Sequence, residues 1–507
     1  MIKKNHDVII VGSGLAALAC AARLVENGVK DIGVYSRGLG GTPVIAAINF
    51  VLDDNPHGDT KELYCEDMIH SGYDIGNREL VSEMTSRSVD GYEFLRRWGV
   101  DFAKNPDGTI KLRHLSGHTL PRSLCCTSEL IGAVMERELS QRLAKAGVAF
   151  YPHCRCVGLL SDKNRVNGIV CTDEKGEIRK SFSPVVVAAW GGVGNLLGMS
   201  TYPDNVSGDT LAIAHDAGAK LVDIEFLEYE PMVVLHPPGA VGEPCPTAML
   251  GEGAYLLNSK GERFMLAVRP EGEGGSSKTL INKEIWKQVE MGLGSQHGGV
   301  YVDLRHIDRE VLKAYPWFYD RLMDNGVDPV EQLVEVGPMA HSFSGGILVG
   351  RDYQSTLEGL YAVGEACGGI HGACRCAGNA ASQATISGMI AAEAIAARGD
   401  FERPLDDVPF DYREDKTVRE AMLSRLQKMA ARALGIYRDE KTLDETIDAV
   451  ESMLSGGELA GDRECENIAK SILLMALSAK ERRETRGNQR RLDYPDSSDE
   501  FLRQIVR

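Results

Sequence analysis

Apolar and small residues near the N-terminus follow a pattern that predicts strand, turn, helix and strand. Residues 7–11 form a short apolar run, and residues 12–17 (GSGLAA) form a glycine-rich turn. Residues 15–27 have a helical period that stops at Gly28, and residues 32–35 form a second apolar run. Two strands joined by a helix in this way are typical of a βαβ unit in a parallel sheet.

Later segments mix both periodicities, which makes α/β the predicted fold class. The other expected elements are helices at 79–100 and 128–146, a strand meander at 150–189 that ends in the apolar run 184–189, a helix at 208–219, strands within 345–365, a helix at 379–398 and helical sequence at 414–483. No internal repeat interrupts this order.

The chain has 507 residues, more than one hydrophobic core usually holds. We expect a Rossmann-like nucleotide-binding domain built from residues 1–235 and 345–410. Residues 236–344, which are rich in Pro and Gly, form an inserted α+β domain, and residues 411–507 form a helical C-terminal segment.

The formal net charge of −17 argues against nucleic acid and against an anionic membrane surface as partners. No apolar run reaches the roughly 18–20 residues that span a bilayer. The polar N-terminus lacks the features of a signal peptide, so we expect a cytoplasmic location. The 12 cysteines are dispersed and show no C-x2-C spacing, so we expect reduced thiols and no metal site.

The glycine-rich turn also carries candidate chemistry. Gly12-x-Gly14-x-x-Ala17 lets the backbone approach a pyrophosphate, which the N-terminus of the following helix attracts. The acidic residue that usually binds a ribose is missing, because the second strand ends at Ser36-Arg37. A later strand ends at Gly364-Glu365, where a carboxylate is available for cofactor hydroxyls. Together these signals favour FAD as the cofactor.

Several longer motifs resemble those of the flavoprotein family of fumarate reductase, succinate dehydrogenase and L-aspartate oxidase. The resemblance covers nearly the whole chain and implies the same fold, with the inserted domain capping the substrate. The matching segments are Tyr35-Ser-Arg37, Ser207-Gly-Asp-Thr210, Asp223-Ile-Glu-Phe226, Gly251-Glu-Gly-Ala254, Gly261-Glu-Arg-Phe-Met265, His341-Ser-Phe-Ser-Gly-Gly346, His371-Gly-Ala-Cys-Arg-Cys-Ala-Gly-Asn379, Arg483-Glu-Thr-Arg-Gly487 and Asp493-Tyr-Pro495.

The resemblance implies an FAD site, and the segment after the second strand bears on how FAD is held. Respiratory members attach FAD to a His there, whereas residues 36–50 contain none. We therefore expect FAD to be bound without a covalent bond. The residues expected to bind FAD are Gly12, Gly14, Ala17, Ser36, Arg37, Gly41, Thr42, Gly191, Asp209, Glu365, Gly378 and Asn379.

In the family, two His and two Arg hold a dicarboxylate and one Arg delivers a proton. By resemblance His341 and Arg375 are retained, while Glu230 replaces the other His and Leu250 replaces the arginine before the G-E-G-G motif. The chain is thus identified as a divergent member without the proton-carrying arginine. A second substrate carboxylate near Glu230 and Leu250 would be unpaired, so we expect a substrate other than fumarate or succinate.

Another group then has to carry the proton. The candidates are Glu230, Glu252, His118, Tyr255 and His236, with His118 and Arg122 lying in a segment that resembles a family G-H-S-x-P-R motif. Cys374 and Cys376 flank Arg375, and a strand there would place both thiols on one face. They are either redox-active or small residues that fill the core.

Our leading hypothesis is an FAD-dependent oxidoreductase that reduces or forms a C=C bond next to a carboxylate or similar anionic group of a small-molecule substrate. Arg375 and His341 would hold that group while hydride passes between the flavin and the β-carbon. One alternative is amine oxidation like that of L-aspartate oxidase, and the other is a non-catalytic electron-transfer subunit. An iron–sulfur or flavin protein would be the electron-transfer partner.

Overall fold

Strands and helices alternate through most of the chain. The computed structural model describes residues 3–127, 129–410, 412 and 419–507. Its strands are β1 (Val8–Val11), β2 (Ile32–Tyr35), β3 (Ile48–Asn49), β4 (Ser123–Leu124), β5 (Ala149–Tyr151), β6 (Arg155–Ser161), β7 (Val166–Thr172), β8 (Ile178–Phe182), β9 (Val185–Ala188), β10 (Leu221–Val222), β11 (Leu227–His236), β12 (Tyr255–Leu257), β13 (Val300–Asp303), β14 (Val334–Phe343), β15 (Gly346–Ile347), β16 (Leu360–Ala362), β17 (Tyr437–Arg438) and β18 (Arg490–Arg491).

The helices are numbered in the same way, since their bounds locate the candidate residues below. They are α1 (Leu15–Glu26), α2 (Lys61–Ser71), α3 (Arg78–Ser86), α4 (Ser88–Arg97), α5 (Ile131–Lys145), α6 (Thr210–Ala217), α7 (Ala248–Gly251), α8 (Lys278–Glu290), α9 (Arg309–Lys313), α10 (Pro316–Asp324), α11 (Asn379–Arg398), α12 (Arg419–Leu434), α13 (Glu440–Ser455) and α14 (Arg463–Glu481).

The chain divides into two compact units. Unit 1 contains residues 1–198, 202–227 and 343–507, and unit 2 contains residues 199–201 and 228–342. The inserted unit therefore begins at Glu228, a few residues before the expected boundary at 236, because β11 belongs almost entirely to its sheet. The helical C-terminal segment is part of unit 1 and not a third unit; of its residues, 411 and 413–418 lie outside the described part of the chain.

A five-stranded parallel sheet organises unit 1. Its strand order is β16-β9-β1-β2-β5, and every residue of β1 is buried, as the uninterrupted apolar run predicts for a central parallel strand. The strand order reverses between β1 and β9. Open α/β sheets bind their ligands at such a reversal, outside the carboxyl ends of the strands.

Small residues bring α1 and α11 into close contact beside this sheet. A Cβ added at Gly388 of α11 would lie 2.6 Å from the carbonyl oxygen of Ala16 in α1. A Cβ at Gly364 would lie 2.6 Å from the Ala16 Cβ. Both glycines are therefore required by the close packing of these segments against Ala16 of α1.

Some predicted elements are subdivided in the structure. The expected meander at 150–189 contributes β5 and β9 to the parallel sheet, and only β6, β7 and β8 between them form an antiparallel sheet. The helix expected at 79–100 is broken at Arg87 into α3 and α4. The helical sequence at 414–483 forms three helices, α12 to α14, and its first five residues lie outside the described part of the chain.

Unit 2 is built on a four-stranded sheet of order β11-β14-β13-β12, with α7 to α10. Its core is a cluster of apolar side chains from the strands and helices, including Met232, Leu256, Ile285 and Val302. The adjacent strands β11 and β14 carry two of the candidate residues, Glu230 and His341.

A buried ion-pair network ties the C-terminal segment into unit 1. Arg482 donates from Nε to Glu225 at 2.6 Å and from Nη1 to Glu484 at 3.1 Å, and all three side chains are fully buried. The chain end pairs with β10, since the Leu221 N–H donates to the Arg507 carbonyl at 2.8 Å. Removing one partner from such a network leaves a buried charge uncompensated, which costs several kcal/mol.

From the sequence we expected no segment that spans a bilayer, reduced cysteine thiols and no metal site. Among the described residues, no helix combines the length and apolar composition that crossing a bilayer requires. The 12 cysteines carry free thiols. Within the same residues, His, Cys, Asp and Glu side chains form no group of three that could hold a metal ion.

The Asp223 carboxyl generates a prediction about stability. It is fully buried and accepts hydrogen bonds from Gln504 Nε2 at 2.7 Å and the Ile505 N–H at 3.3 Å. Burial, with the nearby Glu225 charge, raises its pKa from 3.8 to about 8. The folded protein therefore keeps a proton that the unfolded chain releases at lower pH, and the resulting stability is lost as pH rises from about 4 to about 8.

We expect Asp223→Asn, which keeps the shape and cannot ionise, to flatten this pH dependence. Between pH 5 and pH 8 the free energy of unfolding of the wild-type protein should fall by at least about 1 kcal/mol more than that of the variant. Urea denaturation of both proteins at the two pH values measures the difference. Equal slopes would show that Asp223 is charged in the folded protein.

Candidate functional site

The turn between β1 and α1 contains two glycines, and neighbouring atoms lie close to where a side chain would begin at each. Gly12 has a φ of +113°, and a Cβ there would lie 2.1 Å from the Ala189 carbonyl oxygen. A Cβ at Gly14 would lie 3.0 Å from Thr42 Oγ1, which accepts the Leu15 N–H at 2.8 Å. Glycine is thus required at position 12 by both backbone conformation and space.

This turn fits the pyrophosphate of a dinucleotide. Gly14 is the N-cap of α1 and has no side chain to cap it, so the positive end of the helix dipole faces the turn, and of the first N–H groups Thr42 engages that of Leu15. Ala17 is fully buried on the first turn of α1, where a larger side chain would compete with the packing. The turn also lies at the sheet reversal between β1 and β9, where α/β folds bind nucleotides.

Glu365 follows β16 and is held by several donors. Its Oε2 accepts the Gly192 N–H at 3.0 Å, and its Oε1 accepts the Phe343 N–H at 2.8 Å and the Tyr202 hydroxyl. Burial raises the pKa of this carboxyl above its ordinary value, and the positive charge of Arg375 opposes the shift. Arg375 and Glu365 therefore lie in one electrostatic neighbourhood of unit 1.

Asn379, at the start of α11, supplies a buried donor. Its Oδ1 accepts the Tyr64 hydroxyl at 2.7 Å and Asn49 Nδ2 at 2.5 Å. Its Nδ2 is buried and has no hydrogen-bond partner among the described residues. The preceding Gly378 has a φ of +83°, and a Cβ there would lie 2.7 Å from Asn49 Oδ1. A side-chain-free turn next to an unsatisfied donor fits an oxygen-rich cofactor such as FAD.

Nucleotide-binding folds usually carry an acidic residue at the end of the second strand, whereas β2 of this chain is followed by Ser36 and Arg37. Ser36 is buried, and Arg37 donates from Nη1 to Glu464 Oε1 at 2.7 Å. The other Glu464 oxygen accepts Arg155 Nη1 at 2.6 Å. The remaining predicted cofactor residues also belong to unit 1, and their contacts with FAD stay predictions; they are Gly41, Thr42, Gly191 and Asp209.

His118 and Arg122 belong to a buried network in unit 1. Arg122 is fully buried, with Nη2 at 2.7 Å from Asp59 and Nη1 at 2.7 Å from Asp67. The Nε2 atom of His118 lies 2.9 Å from the Ala377 carbonyl oxygen, and burial lowers the His118 pKa to about 4. Since Asp59 and Asp67 already pair with Arg122, a structural role is favoured over the proposed catalytic one.

Unit 2 contains a second polar cluster, which we name the Lys278 cluster after its central residue. Lys278 Nζ donates to Glu230 Oε2 at 2.6 Å and to Glu228 Oε1 at 3.2 Å. His341 Nε2 lies 4.0 Å from the same Glu230 oxygen, and His341 Nδ1 is 2.8 Å from Thr201 Oγ1. Glu230 is a proton-carrier candidate named from the sequence, and the structure brings it close to His341.

The structure also locates the other sequence-derived positions of unit 2. Leu250 is buried in the apolar core of this unit and offers neither a charge nor a proton there, and the substrate argument drawn from it stays a prediction. Glu252 is exposed, and His236 is exposed and stacked on His297. Tyr255 lies beneath the Arg263 guanidinium, 3.7 Å from it. A motif alignment locates these positions in sequence but does not give the direction of their side chains.

The segment around Arg375 is a turn and not a strand, so the shared face expected for Cys374 and Cys376 is absent. Cys376 is buried, and its thiol donates to the Gly117 carbonyl oxygen at 3.2 Å. Burial raises the pKa of Cys376 to about 11. A protonated, buried thiol is unreactive, which favours the core-filling interpretation for Cys376.

Lys278, which connects Glu228 and Glu230, was not among the residues expected from the sequence. One local signal points to it: Lys278 is the first residue of α8, where the helix dipole disfavours a positive charge. Its side chain is only 11% exposed, so the two glutamates must supply the compensating charge. A residue placed against its local preference in this way is often functional.

The glycine turn, the parallel sheet reversal and the buried donor together are features of a dinucleotide-binding fold. The sequence profile of the family described as FAD binding domain matches residues 7–381. The chain belongs to this FAD-binding family. FAD is its cofactor, and the α/β fold and oxidoreductase class expected from the sequence are confirmed.

Relatives match along the whole chain. A fumarate reductase (CoM/CoB) subunit of Methanothermobacter marburgensis is 27% identical, covering 99% of this chain and 96% of the relative. L-aspartate oxidase of Pyrococcus abyssi is 31% identical, covering 98% of each. A structure of E. coli quinol fumarate reductase has a TM-score of 0.89 at 23% identity, covering 99% of this chain and 94% of that chain, and it supports the fold.

The clash at Gly12 gives a prediction with a matched control. Gly12→Ala places a methyl group against Ala189, so the purified variant should contain little FAD. Gly28→Ala has comparable backbone strain, with a φ of +84°, but meets nothing within 4 Å and should keep its FAD. The flavin absorbance released per chain on denaturation measures both. Full flavin content in Gly12→Ala would contradict the assigned turn.

We also expect FAD to be non-covalent, because residues 36–50 contain no His. Acid precipitation of the purified protein should leave the yellow chromophore in the supernatant. Flavin fluorescence that remains with the washed precipitate would contradict this expectation.

Proposed function

We propose that the protein reduces or forms a C=C bond next to a single carboxylate or similar anionic group, and that its substrate is neither fumarate nor succinate. The observation that carries the proposal is the charge balance of the Lys278 cluster. Two buried carboxylates, Glu228 and Glu230, share one ammonium group. These three side chains have a net negative charge, which disfavours a second substrate carboxylate.

Arg375 of unit 1 is a candidate binding group for an anionic group of a substrate. Arg375 is buried, and its planar guanidinium suits a carboxylate. Its positive charge already acts on the Glu365 carboxyl. Bound FAD would supply or accept the hydride of the reaction, while the residues of the chain orient the substrate and move the proton.

Amine oxidation is the second candidate function. Full-length relatives are named L-aspartate oxidase, and the acidic side chains of the Lys278 cluster would suit a substrate ammonium group. An electron-transfer partner belongs to the proposal as well, since one relative is named as one of the subunits of a fumarate reductase. We also propose that the protein is located in the cytoplasm.

A substrate panel tests the proposal. The reduced enzyme, held under anaerobic conditions with methyl viologen as donor, should be reoxidised by crotonate or cinnamate, which carry one carboxylate, and not by fumarate. Peroxide formation from amino acids under oxygen would favour amine oxidation. Flavin that responds to none of these compounds but is reduced by a partner protein would favour a non-catalytic electron-transfer subunit.

Glu230→Gln provides a charge test within the same panel. Removing one negative charge should raise the rate of fumarate reduction relative to crotonate reduction by about tenfold, the effect of one charge at a partly buried site. Glu252→Gln removes an exposed carboxylate of the same unit and should leave the ratio unchanged. Rapid fumarate reduction by the wild-type protein would contradict the proposed substrate class.

A further inference from the structure

Three cysteines lie together at the antiparallel sheet of unit 1, and we name them the Cys154 cluster: Cys154, Cys156 and Cys171. Cys156 of β6 lies directly opposite Cys171 of β7, so their side chains share one face of the sheet. Cys154 lies two residues before Cys156 and extends the same face. Because the pairing of β6 with β7 begins at Arg155, the backbone of Cys154 lies outside this ladder.

The three thiols differ in exposure and in their contacts. Cys171 is only 1% exposed, and its sulfur lies 3.6 Å from the Arg179 carbonyl oxygen. Cys156 is also buried, and its sulfur lies 3.5 Å from the Gly158 carbonyl oxygen. Cys154 is partly exposed. A reagent that arrives from solvent therefore meets Cys154 first.

The electrostatics of the cluster favour a thiolate at Cys154. A hydrogen bond from the Cys171 side chain lowers the pKa of Cys154 below its ordinary value; burial opposes this shift, whereas the positive charge of Arg179 supports it. The same hydrogen bond, together with burial, raises the pKa of Cys171. Burial raises the pKa of Cys156 to about 12. The cluster thus combines one partly exposed nucleophile with a buried, protonated thiol in contact with it.

We propose that Cys154 and Cys171 are a redox-active thiol pair, which a peroxide oxidises reversibly to a disulfide within the chain. The Cys154 thiolate attacks one oxygen of hydrogen peroxide, the O–O bond breaks, and the other oxygen leaves as hydroxide, which takes up a proton and becomes water. This two-electron oxidation leaves a sulfenic acid on Cys154. The Cys171 sulfur then forms the S–S bond, while the sulfenic hydroxyl leaves with the thiol proton as a second water.

The contact between the two side chains supports Cys171 as the thiol that closes the disulfide. A hydrogen bond between thiols brings the two sulfur atoms together before any oxidation. The pair does not depend on the substrate proposed above, because oxygen that reoxidises a reduced flavin is released as hydrogen peroxide. An FAD oxidoreductase therefore produces the oxidant that this pair requires.

The pair adjoins a segment that we expect to bind FAD. The Cys154 N–H donates to the Ser36 carbonyl oxygen at 2.8 Å. The next residue, Arg155, donates to Glu464, which also accepts a hydrogen bond from Arg37. Oxidation of Cys154 thus occurs one hydrogen bond away from the residues that follow β2.

Peroxide treatment of the FAD-loaded protein tests the pair. Hydrogen peroxide is added to the reduced wild-type protein, the remaining thiols are blocked with N-ethylmaleimide in denaturant, and the peptides are examined by mass spectrometry without reduction. We expect two peptides of one chain to be joined through Cys154 and Cys171, and dithiothreitol should restore both thiols. Cys156→Ala, the control at the neighbouring buried thiol, should form the same link in the same yield.

Two variants separate the steps of the oxidation. Cys171→Ala should stop at the sulfenic acid, which dimedone traps on Cys154. Cys154→Ala should leave the thiol of Cys171 intact, because that thiol is buried and protonated. In the native wild-type protein at pH 7, iodoacetamide should alkylate Cys154 at least about tenfold faster than Cys126, a partly exposed thiol whose pKa burial raises to about 12.

Three results would overturn the proposal. They are the absence of a link between Cys154 and Cys171 after peroxide treatment, oxidation of Cys171 at the wild-type rate in Cys154→Ala, and equal alkylation of Cys154 and Cys126. If a variant retains less FAD than the wild type, the wild-type peptide map and alkylation rates decide the question, because they require no substitution.

Discussion

The fold of unit 1 depends on one close approach, that of the turn after β1 to the end of β9. A Cβ at Gly12 would lie 2.1 Å from the Ala189 carbonyl oxygen, so the two strands can be neighbours only because this residue has no side chain. Their pairing sets the sheet reversal, which in turn sets the place of the pyrophosphate. The small residues that α11 presents to α1 complete the same arrangement, since a larger α1–α11 distance would move the helix N-terminus away from the turn.

Local patterns made this part of the fold predictable from the sequence. The β1 run, the turn and α1 are adjacent in the chain, and their periods and glycines reflect the same contacts that the structure contains. The length of α11 was also predictable, because alanine has the most favourable helix propensity. The subdivision of residues 150–189 was not, since only tertiary pairing decides that β5 and β9 join a parallel sheet.

The candidate site was harder to predict because its members meet only after folding. Lys278 and Glu230 lie 48 residues apart in sequence, and nothing in either segment indicates that they pair. The direction of the Leu250 side chain could not be predicted for a related reason: a glycine-rich motif fixes its position in the chain, whereas packing turns the side chain into the core. The net charge of a site can be inferred from aligned motifs only when the nearby side chains that compensate each charged residue are also known. Here the compensating lysine changes a repulsive pair of glutamates into a bound, proton-bearing group.

The discontinuity of unit 1 has a consequence for how the protein is made. Strand β9 ends at Ala188, but its outer neighbour β16 begins only at Leu360, after the whole of unit 2. At ribosomal rates of roughly 5–20 residues per second, the outer edge of β9 stays unpaired for about 10–30 s of synthesis. An apolar strand with an open edge can pair with other nascent chains. Unit 2, nearly continuous in sequence, is completed within that interval, so slower translation would lengthen the exposure of β9.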